Sequence, residues 1–359
     1  MANTRVTTPV TDFDKATSLP GLKIPSGDNS NQPTGAAAEQ GMIRNDTDET
    51  VDSSTSALAH YNGTAWRYFA ATESADPVLV DYVIVGGGGG GGGYNGGGGA
   101  GGVRSTLTET GGSIGTLETI LSLSVATPYA FSIGAGGVGG LHQSSASTNG
   151  SLTSFNGIES LGGGAAATYA NINQAGNGGS GGAGNSYVSG TQTGGTGQSN
   201  QGYAGNTALV KTNPGYTSGG GGGAGGLGGT QTNAVSSNGG TGVDIIWNPS
   251  NLAIGGGGGG GAYSPGGTAG TASHGGANGF YGITGANATA LTGGGGGGAG
   301  YGNGGAHTLA SNGGSGAIYL KYLKTYIIGL SSGSSVTTED STHKYTTITG
   351  GTGNVEFTQ

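Results

Sequence analysis

Residues 78–93 read V-L-V-D-Y-V-I-V-G-G-G-G-G-G-G-G, a run of strand-forming residues that passes directly into eight consecutive glycines. Further runs occupy residues 255–261 and 293–298, and glycine makes up 90 of the 359 residues. Each glycine loses about 1–2 kcal/mol of backbone entropy on folding and has no side chain to bury. Ordered glycine runs therefore require dense backbone pairing rather than an oily core.

Three regular conformations compete for such runs. Collagen needs glycine at every third position with abundant proline, but the chain has only 9 prolines and no such period. An α-helix or a strand interior is disfavoured, because glycine lowers helix stability and packs nothing in a strand. Polyproline II-like helices remain, in which eight residues span about 25 Å. The sequence thus predicts a bundle of polyglycine II helices whose backbones bond to one another.

The composition divides the chain into three predicted domains. Residues 1–76 hold most of the charge, whereas residues 160–320 carry only Lys211 and Asp244 besides histidines and tyrosines. Residues 77–325 form the glycine-rich domain, and residues 326–359 a carboxy-terminal β extension. The predicted fold class is mainly irregular and β: a small amino-terminal β module, the polyglycine II bundle with long loops, and a carboxy-terminal β-hairpin at residues 343–357.

Two hydrophobic segments enclose the glycine-rich domain. Residues 78–85 and 317–322 both read as strands, and they lie directly before the first run and after the closing G-G-S-G of residues 313–316. We expect the two strands to pair and so to join the ends of the domain. Shorter strands are predicted at residues 41–47, 58–69 and 243–247, with Asn62-Gly63 as a turn signal.

Motifs at several places along the chain resemble those of a known group of proteins. The phrase G-M-I-R-N-D-T-D at residues 41–48 and Y-N-G-T-A-W at residues 61–66 resemble a small β module of phage tail-fibre proteins. The strand with its glycine run, and the terminal G-G-S-G-A-I-Y-L-K-Y at residues 313–322, resemble the glycine-rich domain of phage tail fibres and adhesins. The resemblance covers about residues 35–325.

This resemblance implies a virion protein. Its amino-terminal part would attach to other tail proteins through residues 1–76, as a homotrimer, and loops at the end of a rigid glycine slab would bind the host. The protein would lie in the virion tail, and it would become extracellular after host lysis. Because residues 326–359 follow the glycine-rich domain, the sequence leaves open which end is distal.

Residues that could carry chemistry are few. The letters G-G-S-G-G at residues 178–182 match a nucleophile elbow without the strand and helix it requires. The five histidines have no metal-ligand spacing, and the central region has no paired carboxylates. The net charge of −8 argues against nucleic-acid binding. Residues 1–19 read as no signal peptide, and no apolar run is long enough to span a membrane. We expect neither enzyme activity, nor a cofactor, nor a metal.

Aromatic residues in polar loops are the candidate binding groups, because they give contact area at low entropy cost. The partner would be a bacterial surface glycan or an outer-membrane protein. The candidates for receptor binding are Tyr203, Tyr216, Trp247, Phe280 and Tyr281. Tyrosines directly after glycine runs, Tyr94, Tyr263 and Tyr301, are instead expected to cap helix ends. The alternative function is a structural or surface-binding slab without receptor binding, such as a fibre sheath, a decoration protein or an ice-binding protein.

Overall fold

We describe the fold from a computed structural model of the chain. It describes the strand backbones at residues 26–27, 43–46, 57–61 and 66–68, and residues 77–359 except 95, 143, 169–173, 186–191, 209–216, 233, 263–266, 283–284 and 301–307. The chain divides into two compact units, residues 1–76 and residues 77–359. Within the described residues the structure is mainly β and contains no helix.

The first unit contains one small sheet of four strands. They are β1 (Ser26–Gly27), β2 (Ile43–Asp46), β3 (Ala57–Tyr61) and β4 (Trp66–Tyr68), in that spatial order. β1 and β2 are parallel, and the other neighbours are antiparallel. The sequence prediction of short strands in this unit is confirmed, whereas the Asn62-Gly63 turn lies outside the described residues.

Two sheets form the ordered β part of the second unit. The strands of this unit are β5 (Val78–Val85), β6 (Val103–Ser105), β7 (Leu121–Leu123), β8 (Tyr129–Ser132), β9 (Thr153–Phe155), β10 (Ile158–Ser160), β11 (Val243–Ile245), β12 (Leu252–Ile254), β13 (Ala317–Leu323), β14 (Ile327–Leu330), β15 (Ser334–Glu339), β16 (His343–Gly350) and β17 (Thr352–Thr358). One of the two sheets has the order β15-β16-β13-β5-β6, with β7 also paired to β5, and the other has the order β10-β9-β8-β17-β14. A separate pair joins β11 and β12.

The predicted pairing of the two enclosing strands is confirmed. β5 and β13 are antiparallel, with Val85 opposite Ala317 and Ile84 opposite Ile318. Alternate residues of these strands face the second sheet, where they form a core with Phe131, Phe155 and Phe357. The ends of the glycine-rich segment are thereby held together by buried β pairing.

The carboxy-terminal residues belong to this unit and contain a β-hairpin, which β15 and β16 form. Asp340 in its turn accepts bonds from the backbone N–H groups of His343 and Thr342 at 2.7 Å and from the Tyr345 hydroxyl at 2.8 Å. These bonds hold the pKa of Asp340 well below its usual range.

The hairpin does not cover the predicted residues 343–357. β16 pairs with β13 and β15, while β17 pairs with β8 and β14, so the segment passes from one sheet to the other. Gly351, with φ of +93°, lies at the crossing. Apolar residues of both strands, such as Ile348 and Phe357, thereby enter the same core. Burial in that core favours the crossing over a local hairpin.

The first glycine run lies at the centre of the remaining segments, and every third residue contacts the same neighbour. Its N–H groups donate to three antiparallel segments: Gly86, Gly89 and Gly92 to Gly102, Gly99 and Gly96; Gly87 and Gly90 to Ser151 and Thr148; Gly88 and Gly91 to Gly314 and Ser311. Its carbonyls accept from three parallel segments: Gly87 and Gly90 from Gly163 and Ala166; Gly88 and Gly91 from Gly137 and Gly140; Gly89 and Gly92 from Gly296 and Ala299. The run is therefore surrounded by six backbones.

Close backbone approach explains why this run is glycine. A Cβ added at each of the residues 86–91 would lie closer than 3.0 Å to a backbone carbonyl of a neighbouring segment. None of them has a positive φ, so conformational freedom is not the requirement here. The segments that bond to one another through their backbones in this way are called the backbone bundle (residues 86–102, 134–152, 161–242, 255–300 and 308–316, where described).

A second apolar core lies on the other face of the sheet that contains β5. It joins Val83, Val85 and Tyr319 to Ile245 of β11 and Ile254 of β12. The predicted strand at residues 243–247 is confirmed as β11 (Val243–Ile245). β5 and β13 therefore contribute side chains to both apolar cores, one on each face of their sheet.

Candidate recognition surface

The backbone bundle has two ends, one continuous with the strands and one opposite to them. At the opposite end, Ala299 N–H donates to Gly92 O at 3.1 Å, and Gly300 N–H donates to Phe280 O at 2.8 Å. His142 N–H donates there to Thr308 O at 3.1 Å. We call this end the outer end, since it lies a full run of glycines away from the sheets.

Exposed apolar side chains lie at the outer end of the bundle. Tyr281 is 43% exposed, Val235 44% and Leu309 47%. Phe280 beside Tyr281 is half-buried, and its N–H donates to Gly298 O at 3.0 Å. A rigid support with exposed rings and aliphatic groups is suited to binding another surface.

Tyr94 ends the first run as a buried ring. It is 6% exposed and packs against His142, with ring centroids 4.7 Å apart. The burial of this ring at the end of the run agrees with the expectation for Tyr94. Tyr263 and Tyr301, expected to act in the same way, lie outside the described residues.

The structure does not bring the predicted receptor residues together. Tyr203 is half-buried near the end of the bundle that continues into the strands, where its N–H donates to Gly223 O and its carbonyl accepts from Gly181 N–H. Among the candidates that the structure describes, only Phe280 and Tyr281 lie side by side at the outer end. Tyr216 lies outside the described residues.

Trp247 occupies a core position rather than an exposed loop. It is 8% exposed and makes edge-on contacts with Tyr319 and Tyr345, at centroid distances of 5.5 and 5.2 Å. The expectation that this ring is available in a loop is thus corrected by the structure. The signal was present in the sequence, because Trp247 follows Val243 and Ile245 at period two and so continues their buried face beyond the end of β11.

One histidine contacts a carboxylate that is far away in sequence. His274 Nε2 lies 3.4 Å from Asp244 Oδ2, and its Nδ1 lies 2.8 Å from the hydroxyl of Ser273. The Asp244 side chain is 66% exposed, whereas that of His274 is 19% exposed. Sequence spacing could not show this contact, because it depends on how the segments of residues 235–242 and 268–274 pack.

The serine of the nucleophile-elbow match is part of the buried bundle. Ser180, the central residue of the G-G-S-G-G match, is fully buried in the bundle, where its carbonyl accepts from Gly164 N–H at 2.9 Å. Within the described residues no group of three or more His, Asp or Glu side chains could hold a metal ion. A search of the same residues found no helix with the length and hydropathy needed to cross a membrane.

Comparison with known families gives one match. The sequence model of the glycine-rich domain matches residues 61–323, which is more than half of the chain. The match extends from the last strands of the first unit through both enclosing strands and the whole backbone bundle. A search of curated proteins found no match.

Proposed function

We propose that this chain, which belongs to the glycine-rich domain family, is a tail-fibre or receptor-binding adhesin of a bacteriophage, and that it attaches the particle to a bacterial surface. The motifs of residues 41–48, 61–66 and 313–322 support this proposal through their resemblance to phage tail-fibre proteins. The observation that carries it furthest is the outer end of the bundle, where exposed apolar groups stand on a support of buried backbone.

The support itself is proposed to be a bundle of polyglycine II helices. Contacts of the first run repeat every third residue, which matches three residues per turn. Six neighbours surround that run, and the glycine N–H and carbonyl groups bond between segments rather than within one. Such a bundle keeps its shape without side-chain packing, so the outer end can vary in sequence while the support stays fixed.

Recognition is proposed to take place at the outer end through Phe280 and Tyr281, together with Val235 and Leu309. Aromatic and aliphatic groups between amides and hydroxyls bind both glycans and protein loops. Tyr203 and Tyr216 remain proposed contacts of lower rank, because Tyr203 lies at the other end and Tyr216 is not described. Trp247 is left out, because its ring is already buried by Tyr319 and Tyr345.

The first 76 residues are proposed to attach the chain to other tail proteins as a homotrimer. Their sheet has strands of only 2, 4, 5 and 3 residues, which are too short to build a large core. Association of three copies would supply the missing burial. Mass measurement of the full chain and of a chain lacking residues 1–76 tests this, since only the full chain should be trimeric.

Adsorption of the particle to its host tests the recognition surface. Tyr281→Ala combined with Val235→Ser and Leu309→Ser should lower the adsorption rate, because these three side chains are exposed at the outer end. Ile246→Ser is the matched control, since Ile246 is 65% exposed but lies on β11–β12 away from the outer end. Normal adsorption of the triple variant, with fibres present at wild-type amounts, would exclude this surface.

Negative-stain imaging with a label on residues 1–30 tests the virion assignment separately. A label at the particle tail is expected, and a particle without label would contradict a tail location whatever the adsorption result.

A second candidate is a slab that binds a regular surface such as ice. It is favoured by the outward residues of two adjacent segments: Val235, Asn238 and Thr241 on one, and Thr268 and Thr271 on the next, all exposed at three-residue spacing. Inhibition of ice recrystallisation by the purified chain would support this candidate, and a Thr268→Lys, Thr271→Lys variant should then lose the inhibition.

A further inference from the structure

Asn-Gly pairs occur at six places where both residues are described: residues 149–150, 156–157, 177–178, 238–239, 278–279 and 312–313. One of them is a hairpin turn. Asn156 and Gly157 have φ of +48° and +77° and join β9 to β10, as expected for a tight turn of this sequence. Both residues are exposed. None of the other ten residues has a positive φ, so these five pairs are not turns of this kind.

The five remaining pairs lie at the side of the backbone bundle and share one pattern of hydrogen bonds. In each, the asparagine Oδ1 accepts the backbone N–H of an adjacent segment at 2.7–2.8 Å. The donors are Ala165 for Asn149, Thr196 for Asn177, Thr271 for Asn238, Ala272 for Asn278 and Gly139 for Asn312. In each, the glycine N–H donates to a carbonyl of that same segment: Gly150 to Gly163, Gly178 to Thr196, Gly239 to Thr271, Gly279 to Gly270 and Gly313 to Gly137. We call this arrangement the Asn-Gly clamp.

The direction of the adjacent segment decides which of its residues the clamp contacts. Where the segment is parallel, as at Asn177 and Asn238, both bonds go to one residue, Thr196 or Thr271. At Asn149, Asn278 and Asn312 the two bonds go to residues two positions apart, and the segment is antiparallel. The clamp thus pairs a backbone N–H at the side of the bundle with a side-chain oxygen.

Asn-Gly is also the sequence at which asparagine most readily deamidates. The glycine nitrogen forms a bond to the asparagine Cγ, the bond from Cγ to the side-chain nitrogen breaks, and the proton from the glycine N–H leaves with that nitrogen as ammonia. Water then opens the five-membered imide to aspartate or isoaspartate. The reaction needs the glycine nitrogen and the asparagine Cγ to approach each other, so both bonds of the clamp must break first.

We propose that the Asn-Gly clamps protect these five asparagines from deamidation in the folded protein, and that Asn156, alone among the six described pairs, is modified in the native chain. The five clamped pairs become modification sites only when the bundle opens. Isoaspartate formed there adds a backbone atom within the bonded segment, and it would prevent the clamp from reforming. The lesion would thus mark chains that have opened.

The test is deamidation of the full chain in warm, mildly alkaline buffer, followed by peptide mass mapping. Asn156 should deamidate at similar rates in folded and denatured protein. The five clamped asparagines should deamidate at least about tenfold more slowly in the folded protein than in denaturant, since the reaction follows local opening. Clamped asparagines that react as fast as Asn156 in the folded chain would overturn the proposal.

A single clamp can be opened from the neighbouring segment. Thr271→Pro removes the N–H that Asn238 accepts but keeps the Thr271 carbonyl, whereas Thr271→Ala keeps both and serves as the matched control. Asn238 alone should deamidate faster in Thr271→Pro. Unchanged Asn238, or faster reaction at all five sites, would overturn protection by the local clamp. If Thr271→Pro does not fold, Thr196→Pro and Thr196→Ala provide the same comparison at Asn177.

Discussion

Gly258→Val tests whether the bundle is held by backbone contact. Gly258 is buried in the second glycine run; its N–H donates to Gly98 O and its carbonyl accepts from Gly221 N–H, both at 2.9 Å. A Cβ at this position would lie closer than 3.0 Å to the carbonyl of Gly296. That carbonyl is part of a backbone held by its own bonds, so it cannot rotate away as a side chain would.

The expected cost follows from two effects. Forcing a side chain into a packed site costs about 1–3 kcal/mol. Displacing the segment also strains or breaks two backbone hydrogen bonds, each worth about 1 kcal/mol. The free energy of unfolding should fall by about 3–5 kcal/mol, which corresponds to a drop of about 5–8 °C in Tm for a unit of this size.

Gly329→Val is the matched control. Gly329 lies in β14 with no positive φ, and an added Cβ would meet only the Glu356 carbonyl oxygen at 3.9 Å. Valine favours a strand and restricts the unfolded chain, so Tm should stay equal or rise. Calorimetry or thermal circular dichroism of both variants decides. A Gly258→Val protein that melts within about a degree of wild type would refute the contact argument.

Three further predictions concern the rest of the chain. Trp247→Ala should lower the free energy of unfolding by about 3–5 kcal/mol through loss of a buried ring, whereas Ile246→Ala, next to it and exposed, should change it by no more than about 0.5 kcal/mol in denaturant titrations. Burial raises the pKa of Tyr319 to about 12 from its ordinary 10.0. The contribution of its neutral hydroxyl to stability is therefore complete below pH 10 and is lost as the pH rises toward 12. Tyr319→Phe should weaken the decrease in stability at alkaline pH, and an unchanged decrease would contradict this sign. Far-ultraviolet circular dichroism of the full chain should lack the helical double minimum, because the described residues contain no helix; a strong helical spectrum would contradict the fold.

Much of the candidate site depended on information that the sequence does not carry locally. The sequence placed aromatic residues in loops, but it could not show that Trp247 packs under Tyr345 from the last strands of the chain. It also could not place Tyr203 and Tyr281 at different ends of the bundle, because a glycine run contains no side chains to mark which segment lies beside it. Contacts such as His274 with Asp244 arise from segment order, which short motifs do not encode.

By itself, the sequence determined that buried backbone must replace an oily core over the glycine runs, since residues without side chains can gain stability only from hydrogen bonds and close contact. It also determined the pairing of β5 with β13, because two apolar segments at the ends of one domain have each other to bury against. Only the tertiary structure decided the arrangement of neighbours around each run and the crossing of residues 343–357 between two sheets. It also decided the role of Asn-Gly, which is a turn at Asn156 and a clamp at Asn238. The same two residues serve both purposes, because the adjacent backbone, not the local sequence, determines which hydrogen bonds they can form.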